Sequence, residues 1–191
     1  DVSEEWDAMI RASEATWSTI PSITTQGNHD TGDPDGDGAL HNRIYELPQN
    51  STTDTEDYYS IDVGPVHFVS LNTQHLDASE LPEMAAWLDA DLAATTQPWR
   101  VAFFHKAVYS RGNHFTGEEE DAAGNLGVIN RVLTPIFDAH DVDLVLNGHS
   151  HNYERYVPTV GHDAAFGGTG RQFPAGTRDT IDVTAALPDG D

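Results

Sequence analysis

The chain has 191 residues, 32 Asp plus Glu against 9 Lys plus Arg, a formal charge of −23 and no cysteine. That length suits one domain with a buried core. The missing cysteines exclude a disulfide scaffold, a Cys-ligated zinc site and a thiol nucleophile, and no run of about 18 apolar residues exists to span a membrane. Among the basic residues only Lys106 is a lysine; phosphate contacts to nucleic acid need clustered Lys and Arg, so a nucleic-acid partner is excluded. The acidic residues are dispersed along the chain, and so large a charge strains the compact state by self-repulsion. At about 1 M salt the Debye length falls to roughly 3 Å, which removes most of that strain. A salt-rich environment is the expectation; an ordinary acidic protein kept soluble by its charge is the alternative.

In chain order, residues 1–19 predict an amphipathic helix, with Trp6, Met9, Ile10, Ser13, Trp17 and Ile20 on one stripe and Pro21 at its end. Ser22 to Gln26 reads as a short strand running into a glycine, and residues 31–56, polar and acidic, as a long loop insertion. Tyr58–Val63 and Val66–Asn72, separated by Gly64-Pro65, predict a hairpin. Leu81, Met84, Ala85, Leu88 and Leu92 mark a second helix, and Arg100 to Phe104 a strand ending at His105. After a polar loop over 110–124, Leu126, Ile129, Leu133, Ile136 and Phe137 mark a third helix that Pro135 is expected to bend. Val142 to Leu146 reads as a buried strand ending at Asn147-Gly148-His149. The segment 161–191 is irregular, with one weak strand at Thr180 to Thr184. The order indicates α/β layering around a sheet, with no internal repeat.

Three segments share one design, in which a strand ends and His or Asn follows: Gly27-Asn28-His29-Asp30, Phe103-Phe104-His105, and Asn147-Gly148-His149-Ser150-His151. Sites in α/β sheets gather beyond the carboxyl ends of strands. Imidazole with amide oxygen suits Zn, Mn, Fe or Co better than Ca or Mg. On an extended stretch His149 and His151, two apart, would point to one side and reach neighbouring ions. A lone histidine is most often a hydrogen-bonded core or surface residue, but three strand-end sites together point to a metal centre.

These segments resemble the calcineurin-like metallophosphoesterases and, within them, the purple acid phosphatase group: GNHD at 27–30, the strand-end His105, GHSH at 148–151, the following Asn152-Tyr153-Glu154-Arg155, the stretch Tyr59 to Leu71, and Trp87 to Leu92. The resemblance covers roughly residues 1–157. It implies a four-layer αββα sandwich of two mixed sheets flanked by helices. It implies a binuclear metal-dependent phosphoric ester hydrolase in which a metal-bound hydroxide attacks a small phosphorylated substrate, with ions about 3.5–4 Å apart. By motif, Asn28, His105 and His149 would ligate one ion and His151 the other, while His29 would touch the phosphate or leaving group. The stretch Arg111 to Glu118 resembles the loop that carries a further histidine near the leaving oxygen, which makes His114 the candidate proton donor or phosphate anchor; a solvated loop residue is its plainer reading. Lys106 and Arg155 would add positive charge near a phosphate, or serve only as surface residues. The metals would be Fe, Zn or Mn, and many relatives are exported, so an extracellular or cell-surface location is expected.

The departures shape the expectation. The family places an Asp motif and then GDxxY ahead of GNH, supplying Asp ligands, the bridging carboxylate and the tyrosine of the purple group; no GD pair precedes Asn28 here. Asp1, Glu4, Glu5 and Asp7 lie on the helix pattern and read as a solvated face. The chain therefore reads as a single partial catalytic domain over 1–191, incomplete at its N-terminus and at its C-terminus, where a closing strand would follow, and inactive alone. Ala107 stands where the group often has Pro. Asp33-Pro-Asp-Gly-Asp37-Gly38 starts like a calcium loop, but Ile44 occupies the position where a bidentate Glu belongs, and an acidic solvated turn is the better reading. The remaining alternatives are a phosphodiesterase or nucleotidase of the same fold, and a non-catalytic acidic module that binds cations or a partner protein.

Overall fold

The computed structural model describes residues 2–30, 38–74, 80–110 and 125–156. The elements are α1 (Val2–Trp17), α2 (Ala39–Ile44), β1 (Tyr59–Val63), β2 (Val66–Ser70), α3 (Glu80–Ala94), β3 (Trp99–Lys106), α4 (Asn125–Ala139) and β4 (Leu144–Gly148). The strands form one mixed sheet in the order β1-β2-β3-β4. β1 and β2 are the antiparallel hairpin, while β2–β3 and β3–β4 are parallel. The hairpin turns through Gly64 at φ 58 followed by Pro65, the sign pattern of a II′ turn, whose twist matches that of the flanking strands.

Each parallel pair is joined through a helix, α3 after β2 and α4 after β3, the βαβ arrangement. The alternation of side chains sorts the sheet into two faces. Val69, Ala102 and Phe104, with Leu71 just beyond β2, pack against Leu81, Met84, Leu88 and Leu92 of α3 and Ile129, Leu133 and Phe137 of α4 in one core. Phe104 stacks on Phe137 with ring centroids 6.0 Å apart. Helix α4 continues through Pro135, as its apolar stripe requires. On the other face lie Ile61, Phe68, Val101 and Phe103, all half-buried, and the exposed Leu144 and Leu146.

Several sequence expectations change. Val142–Leu146 is not a buried strand: β4 begins two residues later, runs through Asn147 and Gly148, and leaves Leu144 48% and Leu146 51% exposed. Among the described residues it is an edge strand, and its apolar outer residues belong to the face that α3 and α4 do not cover. Ser22–Gln26 forms no strand. Side chains hold it instead: the Thr24 amide donates to Tyr59 Oη at 3.1 Å, Tyr59 Oη donates to the Thr24 carbonyl at 2.6 Å, and Thr25 Oγ1 donates to the Leu71 carbonyl at 3.0 Å. Burial pushes the Tyr59 phenol up to about 12, so it stays a donor. The polar stretch 31–56 is not all loop, because α2 lies within it. The stripe of α1 is only partly used: Trp6 and Trp17 reach Tyr45, while Met9, Ile10 and Ile20 remain exposed. The calcium-like loop from Asp33 to Asp37, Leu126's side chain, the 110–124 loop beyond Ser110, and the tail with Thr180–Thr184 lie outside the described residues.

The described residues thus contain one mixed sheet with α3 and α4 packed on one face; the second sheet expected of a four-layer sandwich is not among them.

Candidate metal centre

β3 runs two residues further than its apolar pattern suggests, through His105 and Lys106, with an irregularity against β4 between Phe104 and Lys106. This brings the His105 ring between two glycines. A Cβ on Gly27 would stand 3.1 Å from His105 Nδ1, and one on Gly148 3.4 Å from it. The Gly27 site in particular leaves no room for a side chain without moving the ring, which explains why glycine precedes the metal-type residue in that motif.

Three donor atoms converge there. His105 Nε2 lies 2.6 Å from Asn28 Oδ1 and 3.1 Å from His149 Nδ1, and His149 Nδ1 lies 3.2 Å from Asn28 Oδ1. The two imidazoles meet edge to face, with centroids 4.9 Å apart. Donors about 2.1 Å from one ion, at angles between tetrahedral and right, stand roughly 3.0–3.4 Å from each other. Both separations involving His149 fall in that range, and the third needs only a small opening. One amide oxygen and two imidazole nitrogens therefore fit a borderline transition metal by distance and by chemistry.

The backbone is arranged for this convergence. Asp30 Oδ2 accepts the Gly27 amide at 2.7 Å, and the Asp30 amide donates to the Gly27 carbonyl at 3.1 Å, closing the turn that presents Asn28. His149 sits at φ 71, a left-handed conformation that a non-glycine residue holds only when its surroundings impose it. The stretch 149–151 is thus a turn, not the extended segment expected from the two-residue spacing. Ser150, buried between the two histidines, accepts from Ser110 Oγ at 2.5 Å and pins that turn. Glu154 of the Tyr-Glu-Arg stretch is held within its own loop by Asn152 Nδ2 at 2.7 Å and Tyr156 Oη at 2.5 Å.

Of the six candidate residues, the fold brings Asn28, His105 and His149 together. His29 and His151 are exposed on the same loops, and His114 lies outside the described residues. Among the described residues, no three His, Asp or Glu side chains converge on one point. Lys106 is half-buried at the end of β3 and Arg155 exposed. Sequence reasoning missed the polar side chains behind the cluster, notably Gln26, Asn42, Asp57, Asn72 and Thr73; amides and hydroxyls at the ends of apolar runs were the available signal. It also missed His67, whose Nδ1 lies 2.7 Å from Asp62 and whose Nε2 lies 2.7 Å from Asp91.

The described residues thus form a mixed α/β sheet with an Asn–His–His cluster beyond its strand ends. The calcineurin-like phosphoesterase family model matches residues 1–153, and the chain belongs to that family. It is 30% identical over 158 residues to purple acid phosphatase 23 of Arabidopsis thaliana, covering 78% of this chain and 32% of that protein. It is 31% identical over 161 residues to purple acid phosphatase 21 of the same plant, covering 80% and 35%. It is 27% identical to a probable inactive purple acid phosphatase 1, again from Arabidopsis thaliana, covering 81% of this chain and 27% of that protein. Among solved structures it is similar to the purple acid phosphatase PPD1 from yellow lupin (Lupinus luteus) seeds, with a TM-score of 0.66 and 25% identity, covering 81% of this chain and 29% of that one. The chain spans about a third of the length of the curated relatives it matches. The purple acid phosphatase-like resemblance and the metallophosphatase fold class both hold.

Proposed function

We propose that this chain carries part of the binuclear metal centre of an acid phosphatase-like phosphoric ester hydrolase acting on small phosphorylated substrates. The observation that carries the reading is the convergence of Asn28 Oδ1, His105 Nε2 and His149 Nδ1 within 2.6–3.2 Å of one another. Asn28, His105 and His149 would hold one ion and His151 the second. The metals, Fe, Zn or Mn, supply positive charge for phosphoryl oxygens and lower the pKa of water when bound. By the resemblance, His29 would bind the phosphate or leaving group, and His114 would donate a proton or anchor the phosphate. Phosphodiesterase or nucleotidase chemistry would use the same ligands. In keeping with the group, an exported location is assigned, and from this chain's charge of −23, a salt-rich one.

The 191-residue chain alone is proposed to be inactive, because the carboxylate-bearing motifs that the family places ahead of GNH have no counterpart before Asn28. A second reading, an acidic cation- or partner-binding module, is favoured by the similarity to a relative whose own name calls it probably inactive. The test is metal stoichiometry after equilibration with zinc, manganese and iron at about molar salt, for the chain and for His105→Ala, with a phosphomonoester assay alongside. The expected result is one weakly held ion that His105→Ala abolishes, and no turnover. Binding indifferent to His105→Ala refutes the ligand assignment, and robust metal-dependent hydrolysis refutes the inactivity.

A further inference from the structure

We infer that Gln26, Asn72 and Thr73 are positioning residues that set the spacing between Asn28 and His105. This deepens the metal reading above and rests on it only for its metal-binding readout.

Gln26 is 1% exposed, and its amide is fully engaged. Its Oε1 accepts from Asn72 Nδ2 at 3.0 Å, and its Nε2 donates to Asn42 Oδ1 at 2.9 Å and to Asp57 Oδ1 at 3.2 Å. A flipped amide would set donor against donor at Asn72 and oxygen against the Asp57 carboxylate, so only one orientation is compatible with its surroundings. Asp57 is the charged anchor: its Oδ1 also accepts from Asn42 Nδ2 at 2.8 Å, and its Oδ2 from Thr55 Oγ1 at 2.8 Å. Charge-assisted bonds of this kind are the strong ones. The acidic stretch between the GNHD motif and the hairpin therefore clamps the residue two before Asn28.

Asn72 and Thr73 connect that clamp to the other ligand. Asn72 holds Gln26, and the adjacent Thr73, fully buried, accepts the Lys106 amide on Oγ1 at 2.9 Å. Lys106 follows His105 directly. Neighbouring residues just past β2 thus grip the Asn28 segment with one side chain and the His105 segment with the next. A strand ladder would ordinarily fix such a register, but residues 21–27 form no ladder, so these side chains replace it. Partners that bond a ligand directly fix its orientation, and their loss typically weakens metal binding about 10–100-fold; acting one step further out, through Gly27 and the Lys106 amide, Gln26 and Thr73 belong at the low end of that range.

The experiment compares Thr73→Val, Thr73→Ser, Gln26→Leu and Leu92→Ala, the last a core change remote from the cluster. Two quantities are read: the ring-nitrogen NMR resonances of His105 in the metal-free chain, and affinity for cobalt(II) followed by its visible absorption. Thr73→Val and Gln26→Leu are each expected to move the His105 resonances and to weaken cobalt binding about tenfold. Thr73→Ser, which keeps the hydroxyl, and Leu92→Ala are expected to move neither beyond what lowered stability explains. If Thr73→Val and Gln26→Leu lower the melting temperature as Leu92→Ala does and leave the His105 resonances in place, the inference is wrong. If the resonances move but cobalt binding is absent, or unaffected by His105→Ala, positioning stands and the metal reading fails.

Discussion

Replacing His67 by Gln should destabilise the chain by an amount that shrinks as pH rises. His67 points from β2 toward α3, its side chain 7% exposed, between Asp62 of β1 and Asp91 of α3 at 2.7 Å each. Ser60 Oγ donates to Asp91 Oδ1 at 2.8 Å and Gln97 Nε2 to Asp62 Oδ2 at 3.0 Å, while Arg100 is the neighbouring residue on β3. Burial alone pulls the imidazole pKa down, but the hydrogen bonds and charges of Asp91 and Asp62 together outweigh it, and the net shift is upward from 6.5. A raised pKa means the folded state binds more protons than the unfolded one above pH 6.5. The stabilisation is therefore complete below that pH and is lost as pH rises through the folded value. The Asp91 contact is largely shielded, and a hydrogen bond to a charged group contributes about 1.5–3 kcal/mol. The Asp62 carboxylate is half exposed and adds at most about 1 kcal/mol. Glutamine brings no positive charge but keeps one hydrogen bond to a carboxylate, which retains about 1–1.5 kcal/mol of this. The expected loss is about 2 kcal/mol near pH 6, or roughly 4–8 °C in melting temperature, and it shrinks as pH rises through the raised folded value. Urea unfolding of both proteins from pH 5.5 to 8.5 measures it. A difference that stays flat or grows with pH would refute the protonated clamp.

Other expectations follow from burial and backbone. Leu88→Ala, at a fully buried position, should cost about 3 kcal/mol, whereas Leu146→Lys at a half-exposed position should change urea stability by less than about 1 kcal/mol; equal effects would mean the outer sheet face is buried in solution. Gly38→Ala combines φ 69 with a Cβ that would run into the Gln26 amide, and should destabilise by more than about 1 kcal/mol in thermal melts; a neutral result would show that α2 can move off Gln26. Asp62, whose carboxyl is held below its ordinary 3.8 by its hydrogen bond from Gln97 and then by His67, contributes stability above that pH. Acid titration of Asp62→Asn should therefore lose less stability than the unaltered chain as pH falls through the lowered value. With a charge of −23, the melting temperature should rise from low salt to about 1 M sodium chloride; a fall would argue against charge repulsion as the dominant strain.

Elements whose signal is local are legible in the order of residues. The hairpin follows from alternating β-formers around Gly64-Pro65, and α3 from the helical spacing of Leu81, Met84, Leu88 and Leu92. The motif residues Asn28, His105 and His149 were legible because short runs of Gly, Asn and His past apolar strands carry their chemistry in their identity. Which surfaces those elements meet depends on the folded arrangement. Leu144 and Leu146 are as apolar as Val69, yet β4 lies at an edge and its outer face has no helix against it among the described residues. Residues 22–26 have strand-like composition, but they are held by the Tyr59 hydroxyl and by the bond from the Thr25 hydroxyl to the Leu71 carbonyl. The left-handed turn at His149 is invisible in a spacing pattern, since it is imposed by Ser150 burying itself against Ser110. Periodicity records what one segment prefers; burial, edge position and the pairing of polar groups distant in sequence depend on the other segments, so they exist only once the chain is folded.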